Sequence, residues 1–426
     1  MSRTYYVSAK AGNDHNQGNS EREPFATLSA VNRLKLQPGD RVLLECGSVF
    51  EDQYLHLSAQ GTVESPIIIG SYGEGALPRI CGNGQGIWFQ DYGVELDAPT
   101  HVWRGEVSSA VLLTDVSNFI LSDLEITNCG NTKSHENYNS AHKMDRTGVA
   151  VVAKNRGTLQ NITLKNLYVH DVEGNVYNKH MNNGGIYITA LKPDDEAKTG
   201  IARYDGFTIE DCFVYRVSRW GIAFGYTYRH DNFKECLLEE AWFKEYGHEN
   251  ILVRNNYVKA AGGDGITVMY SLRPLVEHNT SDSVAQQMNA LCYCEPLDRQ
   301  GMVAAAIWPW KCKDALFRYN EATDTRLNQD GMAYDADSGD GTRYEYNYSR
   351  LNEGGCVMFC LEQAVNNTFC YNLSEDDLGG TISPADNPDA YIGYNTFYVR
   401  NNVPFIRTSM DGGNYVLEDN VIIPLE

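Results

Sequence analysis

The chain has 426 residues with 35 basic and 56 acidic side chains, a net charge of −21. A field of that sign repels nucleic acid, anionic membrane and polyuronate chains, and suits neutral or cationic ligands. The length is ordinary for a solenoid or for two domains, and no apolar stretch approaches the ~20 residues of a membrane-spanning helix.

The opening residues, MSRTYYVSAKAG, lack the basic-then-apolar pattern of a secretory leader, which reads as a cytoplasmic protein unless a leader was trimmed. YYVSAKAGND is a strand running into a turn, PFATLSAVNRLKL a short helix begun at Pro24, and QPGD a turn into the strand RVLLEC. A solenoid exposes sheet edge and core at its first coil, so this helix is expected to cap it.

From about residue 160 onward a repeat governs the pattern. ITLKNLYVHDV, FTIEDCFVYRV, ILVRNNYVKAA, PLVEHNTSDSV and their successors share apolar alternation around an Asn or Asp. The polar positions are Asn166, Asp211, Asn256, Asn279, Asn320, Asn347, Asn372, Asn395 and Asn420, and from Asn320 the steps are 27, 25, 23 and 25 residues. A second register precedes each frame, reading GVAVV, GIYIT, GIAFG, GITVM, AIWPW, GMAYD, GCVMF and GTISP. Short strands repeating every ~25 residues, with no helical period between them, predict an all-β chain folded as a right-handed parallel β-helix. The Asn series is expected to stack at a bend and pass amide hydrogen bonds between coils. The chain then forms one domain over 1–426, with 1–80 as cap and first coils. Insertions fall near 130–147, 190–205 and 226–250. His142, His180, His230 and His248 are carried by inserted loops, and Lys179 and His180 precede MNNGG; these are candidate cleft contacts.

Eleven cysteines form no secreted-domain framework, because the count is odd and the only tight pair is Cys292-x-Cys294. Most lie in apolar alternation and read as small buried hydrophobes in a reducing compartment. A zinc site from Cys292, Cys294 and Cys312 lacks a C-x-x-C pair and a histidine partner.

The densest chemistry is NQDGMAYDADSGDG, with Asp330, Asp335, Asp337 and Asp340. Strand alternation turns Met332 and Tyr334 into the coil and Ala333, Asp335 and Asp337 outward. Asp335 and Asp337 are then neighbours on one face with carboxyl groups ~5–9 Å apart, a range suited to glycoside hydrolysis. Aligning AIWPW with GMAYD places Trp308 and Trp310 on the same outer face one coil earlier. Phe359 follows on the other side, and Tyr187 and Met269 belong to earlier coils. Acids among aromatic rings suit a sugar, and Lys311 and Arg326 are the nearest basic candidates for substrate contact. Asp335, Asp337, Asp340 and Gly341 echo a calcium loop, but Gly339 and Tyr346 break it, so no cofactor is expected. Asp330 precedes the strand's glycine; a straight strand holds it ~23 Å from Asp337, so it approaches only through a sharp bend at Gly331. Asp264 holds the same pre-glycine position in GGDGITVM. Crowding should keep one carboxyl protonated at neutral pH.

The frame, the N-terminal YYVSAKAGND…PFATLSAVN…QPGDRVLL…GSYG and the IWPW…NQDGMAYDAD block resemble right-handed parallel β-helix carbohydrate-active enzymes. Within these the block is similar to glycoside hydrolase family 136, the lacto-N-biosidases, whose two catalytic aspartates lie seven residues apart. Asp330 and Asp337 have that spacing. The resemblance implies Asp330 as acid/base and Asp337 as nucleophile of a retaining reaction, while strand geometry by itself leaves the second role divided between Asp330 and Asp335. The family's accompanying helical domain has no counterpart in the sequence pattern. The expected activity is hydrolysis of a neutral oligosaccharide, with no nucleic-acid or membrane partner and the oligomeric state open. The alternatives are a polysaccharide lyase or epimerase, which needs a basic groove, and a non-catalytic carbohydrate-binding solenoid.

Overall fold

Strands of this protein pair with the next coil rather than with their sequence neighbours. The computed structural model describes residues 2–97, 101–130, 144–288, 302–408 and 411–426, and these wind as a parallel β-helix. One wall is a single sheet that includes Asp145–Ala153, Gly184–Ala190, Trp220–Thr227, Ile266–Met269, Ile307–Trp310, Met332–Asp337, Gly355–Cys360 and Ile382–Ser383, each parallel to the one before. The remaining walls form a second large sheet. One cluster of buried apolar side chains runs from Tyr5 to Val399 inside the coils. The polar tips of interior tyrosines are satisfied there, as when Tyr334 donates toward the carbonyls of Asn320 (3.0 Å) and Tyr348 (2.6 Å).

The asparagine ladder forms at the bend between the other two walls. Asn256, Asn279, Asn320, Asn347, Asn372, Asn395 and Asn420 each follow one another. Every amide Nδ2 donates to the next Oδ1 at 2.9–3.1 Å, and that oxygen also accepts the previous residue's backbone N–H. Two expected members are displaced. Asn166 and Asp211 occupy the column one residue earlier, with φ of 49° and 55°, where Asn255 stands with φ 56°. Their register shows it: Tyr168, Phe213 and Tyr257, two residues after Asn166, Asp211 and Asn255, are mutual partners. Asn and Asp tolerate that left-handed turn, so the sequence frame mixed two adjacent columns.

The N-terminal helix spans Leu28–Asn32 and begins at Thr27, whose hydroxyl accepts from Ala30 N, rather than at Pro24. Its buried Leu28, Ala30 and Val31 join the core cluster. The insertion after Gly184–Ala190 holds a short helix, Glu196–Thr199. That after Trp220–Thr227 holds a 3-10 turn, His230–Phe233, and a helix, Glu240–Tyr246. Most of the 130–147 insertion, with His142, lies outside the described residues, as do Cys292 and Cys294. One excursion had no counterpart in the sequence reading: Ile87–Asp91 runs antiparallel to the start of Arg104–Thr114, and the turn between them carries Asp97 and His101.

Replacing Asn347 by Ala removes two amide donations, to Phe317 O and Asn372 Oδ1, and takes the acceptor from the Asn320 backbone N–H and from one Asn320 Nδ2 hydrogen. Each buried polar group left unpaired costs about 1–3 kcal/mol. Thermal denaturation should therefore show a clearly lowered Tm for Asn347→Ala; an unchanged Tm would mean that the ladder contributes nothing.

Candidate active site

The outer face of the Met332–Asp337 wall is where the acidic side chains converge. Register decides what they meet. Ile307 pairs with Tyr334 and Trp310 with Asp337, so Trp308 stands opposite Asp335 and Trp310 opposite Asp337. The expected alignment of the two glycine-type frames was off by two residues. Two is an even shift, so both indoles stay on the acidic face. On the other side Asp335 pairs with Met358, Ala336 with Phe359 and Asp337 with Cys360. Here the shift is odd, which turns Phe359 into the core, fully buried, and brings Cys360 outward in its place.

A cleft of about 520 Å³ results, lined by Lys179, Asp264, Trp308, Trp310, Asp330, Asp335, Asp337, Ser338 and Cys360, with His101 at one end. Asp330 reaches it because Gly331 takes φ +85°, and a Cβ at Gly331 would stand 2.8 Å from the Arg326 carbonyl oxygen. The bend that a straight strand lacks is thus supplied by glycine. Asp264, the other pre-glycine aspartate, is fully buried; its Oδ1 accepts from Trp308 Nε1 (3.0 Å) and Ala305 N (3.2 Å), and its Oδ2 lies 3.6 Å from Arg219 Nε. Sequence pattern suggested a turn role for Asp264, and it holds both a strand entry and an indole.

The indoles are less open than expected. Trp308 is 4% exposed, tilted against Trp220 with ring centroids 6.3 Å apart, and covered by the Lys179 ammonium at 5.5 Å. Trp310 stands edge-on to Trp308 and donates to Tyr270 Oη at 2.9 Å; it is the half-buried ring of the pair. Lys179 also lies 5.9 Å from the Trp310 ring, within reach of cation–π attraction. A smaller cavity of about 220 Å³ continues past the indoles, lined by Asp97, His101, Lys179, His180, Trp220, Met269, Trp308 and Trp310.

Four other sequence candidates take other places. Tyr187 is on this wall but fully buried, its hydroxyl donating to the His180 carbonyl at 3.2 Å. Lys311 lies behind Trp310, with its ammonium 5.6 Å from that ring, and is largely buried. Arg326 is drawn away by Glu353, at 2.6 Å, because its turn faces solvent. Asp340 does not join the other acids: Lys313 (2.7 Å), the Leu238 amide and Asn366 hold it, so the calcium-like spacing is not assembled. Among the loop histidines, His230 bonds the Glu95 carbonyl and His248 the Gly225 carbonyl. Cys312 is a buried thiol pointing at the Val268 carbonyl.

Burial controls the protons of the cluster. Asp335 Oδ1 is buried without a hydrogen-bond partner, and the Asp335, Asp337 and Cys360 donor atoms lie within 4.8 Å of one another. Burial first, then Asp337 and Asp330, push the Asp335 carboxyl well above the usual range. Burial likewise raises Asp337 to about 7, against the pull of Lys179 and a hydrogen bond from Ser338, and Asp330 to about 6 against Lys179. The Cys360 thiol is pushed up by burial and by the same carboxyls. The cluster therefore holds protons near neutrality, as crowded, desolvated acids must.

A parallel β-helix with an acidic, indole-walled cleft on one sheet is the class of protein that this geometry defines. No family model matches the chain. It is 43% identical over 460 aligned positions to a lacto-N-biosidase of Bifidobacterium longum subsp. longum, covering 99% of this chain and 29% of that protein. Two crystal structures of the GH136 lacto-N-biosidase from Eubacterium ramulus, native and selenomethionine forms, superpose with a TM-score of 0.97 at 62% identity, over 99% of this chain and 68% of theirs. The chain belongs to glycoside hydrolase family 136. It spans under a third of the curated relative's length.

Raised carboxyls give stability a definite sign with pH. An acid whose folded value lies above its unfolded one stabilises below the unfolded value, and that contribution is lost as pH rises through the folded value. Stability should fall from about pH 4 to above pH 7, and Asp335→Asn should remove part of the loss. A Tm gain of a few degrees at pH 8, and less at pH 5, is the expected differential-scanning result; a gain larger at pH 5 would contradict the buried, protonated Asp335.

Proposed function

We propose that this chain carries the catalytic β-helix of a glycosidase that cleaves a neutral oligosaccharide, with Asp330 as acid/base and Asp337 as nucleophile of a retaining reaction. The observation that carries this reading is the meeting of Asp330, Asp335 and Asp337 in one indole-walled cleft, although Asp330 precedes the strand and Asp337 ends it. Carboxylate oxygens of Asp335 and Asp337 lie within 4.8 Å of each other, nearer than the ~5–5.5 Å of a nucleophile and acid flanking one glycosidic bond. That favours Asp330 as the partner across the bond and leaves Asp335 to hold a proton beside Asp337. The lacto-N-biosidase relatives support a glycan bearing a lacto-N-biose unit as the substrate. One lysine among four aspartates, and the chain's net charge, suit a neutral glycan better than a polyuronate.

In the forward step Asp330, protonated, gives its proton to the departing glycosidic oxygen as the Asp337 carboxylate attacks the anomeric carbon. The bond to the leaving sugar breaks and an ester to Asp337 forms. Asp330, now ionised, takes a proton from water, which attacks the same carbon and releases Asp337. The half-buried Trp310 face offers the apolar surface on which sugar C–H groups pack.

Chromogenic glycosides of lacto-N-biose and of single sugars test this directly. Asp337→Asn and Asp330→Asn should each lower kcat at least about a hundredfold with unchanged circular dichroism; wild-type turnover in Asp337→Asn would end the assignment. Proton NMR of the first-formed product should show the substrate's own anomer, and the opposite anomer would replace retention by inversion. Because the cluster's carboxyls are raised, both limbs of the kcat/KM profile should fall between about pH 5 and 8. Trp310→Ala should raise KM roughly tenfold with a smaller change in kcat.

A further inference from the structure

Beyond the aspartate cluster, the smaller cavity ends in a second set of donors that the proposed hydrolysis does not use. Asp97 and His101 come from the turn of the antiparallel excursion, and His180 from the loop before Gly184–Ala190. Their donor atoms lie within 4.8 Å of one another. His101 Nδ1 stands 3.4 Å from an Asp97 oxygen, and the His101 and His180 rings meet edge to face with centroids 4.5 Å apart. The Nδ1 atoms of both histidines are buried with no hydrogen-bond partner, although His180 is only 6% exposed. Unpartnered buried polar atoms are rare because each costs desolvation without return. Two of them in side chains gathered about one carboxylate call for a common partner.

We propose that Asp97, His101 and His180 form a binding site for one divalent transition-metal ion of the zinc class. Two imidazoles and one carboxylate are a recurrent three-ligand set for such ions, leaving coordination positions open. Calcium and magnesium are disfavoured, since they require mostly oxygen ligands. The supporting contacts are of the kind that orient metal ligands. Tyr226 donates to Asp97 Oδ1 at 3.3 Å, and its ring stacks on His180 at 4.0 Å. The open positions face the cavity of about 220 Å³ that joins the cleft, where a water or a sugar hydroxyl would complete the shell. Bound there, the ion ties Asp97 and His101 to the loop that carries Lys179 and His180. The Lys179 ammonium lines the same cavity and opposes a cation, so binding should tighten in Lys179→Met.

The test is metal binding by the full chain after dialysis against chelator, read by calorimetry with Zn2+ and by visible d–d absorption with Co2+. One ion per chain is expected, with a Tm increase on Zn2+ addition and no comparable response to Ca2+ or Mg2+. Asp97→Asn and His180→Ala should each weaken binding at least tenfold, with His101→Gln as the variant least exposed to folding defects. Asp337→Asn and Cys360→Ser should bind as wild type, which separates this site from the aspartate cluster and from the glycosidase reading. Absence of uptake by the wild-type chain below millimolar Zn2+ would overturn the proposal. So would uptake that survives all three ligand substitutions or is lost in Cys360→Ser.

Discussion

The parallel hydrogen-bonded register between successive coils is the constraint on which the cleft depends. Coils lie ~4.8 Å apart and alternate side chains face the same way, so a side chain on the outer wall acquires neighbours from coils 23 to 44 residues away. Trp310 beside Asp337 beside Cys360 is one such row. Met269 beside Trp310 extends it toward the smaller cavity. No loop has to fold over to bring these groups together. The backbone of the solenoid holds them, and the interior ladder of asparagines and the tyrosine hydroxyl contacts fix its turns.

Placing carboxyl groups at that spacing has an electrostatic cost which the protein handles by keeping protons. Asp335, buried and without a partner for Oδ1, is the group least able to ionise. Asp337 and Asp330 keep part of their surface toward the cleft and both feel the Lys179 ammonium, Asp337 also that of Lys311. A set of acids held between protonated and ionised states at neutral pH has the composition needed to give up a proton in one step and take it back in the next. The same arrangement weakens the fold at alkaline pH. Stability and proton handling are thus opposed in one cluster, as at many catalytic sites.

Face and wall were readable from the sequence, and register was not. Period-two alternation placed Asp335 and Asp337 outward correctly, because side-chain direction is local to the strand. Which residue of the next coil stands opposite depends on the length and shape of the intervening turn. The Trp308–Trp310 strand slid by two residues and kept its face; the Gly355–Cys360 strand slid by one and exchanged Phe359 for Cys360. Asp330 was reachable only through a glycine with positive φ, which the sequence permits without requiring. Lys179 and His180 were within sight as loop residues. Asp97 and His101 were not, since nothing in GVELDAPTHVW announces the antiparallel excursion that carries them across to the wall. Asp264 offered the one usable signal that was set aside, its pre-glycine position shared with Asp330.

Carbon-13 NMR titration of aspartate carboxyl carbons, in the wild type and in Asp335→Asn, bears most directly on the account, because the chemistry proposed for the cleft rests on raised carboxyls. At least two aspartates are expected to titrate well above the usual carboxylate range, the most raised of them absent from the Asp335→Asn spectrum. If every aspartate of the folded protein ionises near pH 4, the cluster is an ordinary solvated acidic patch and the account fails.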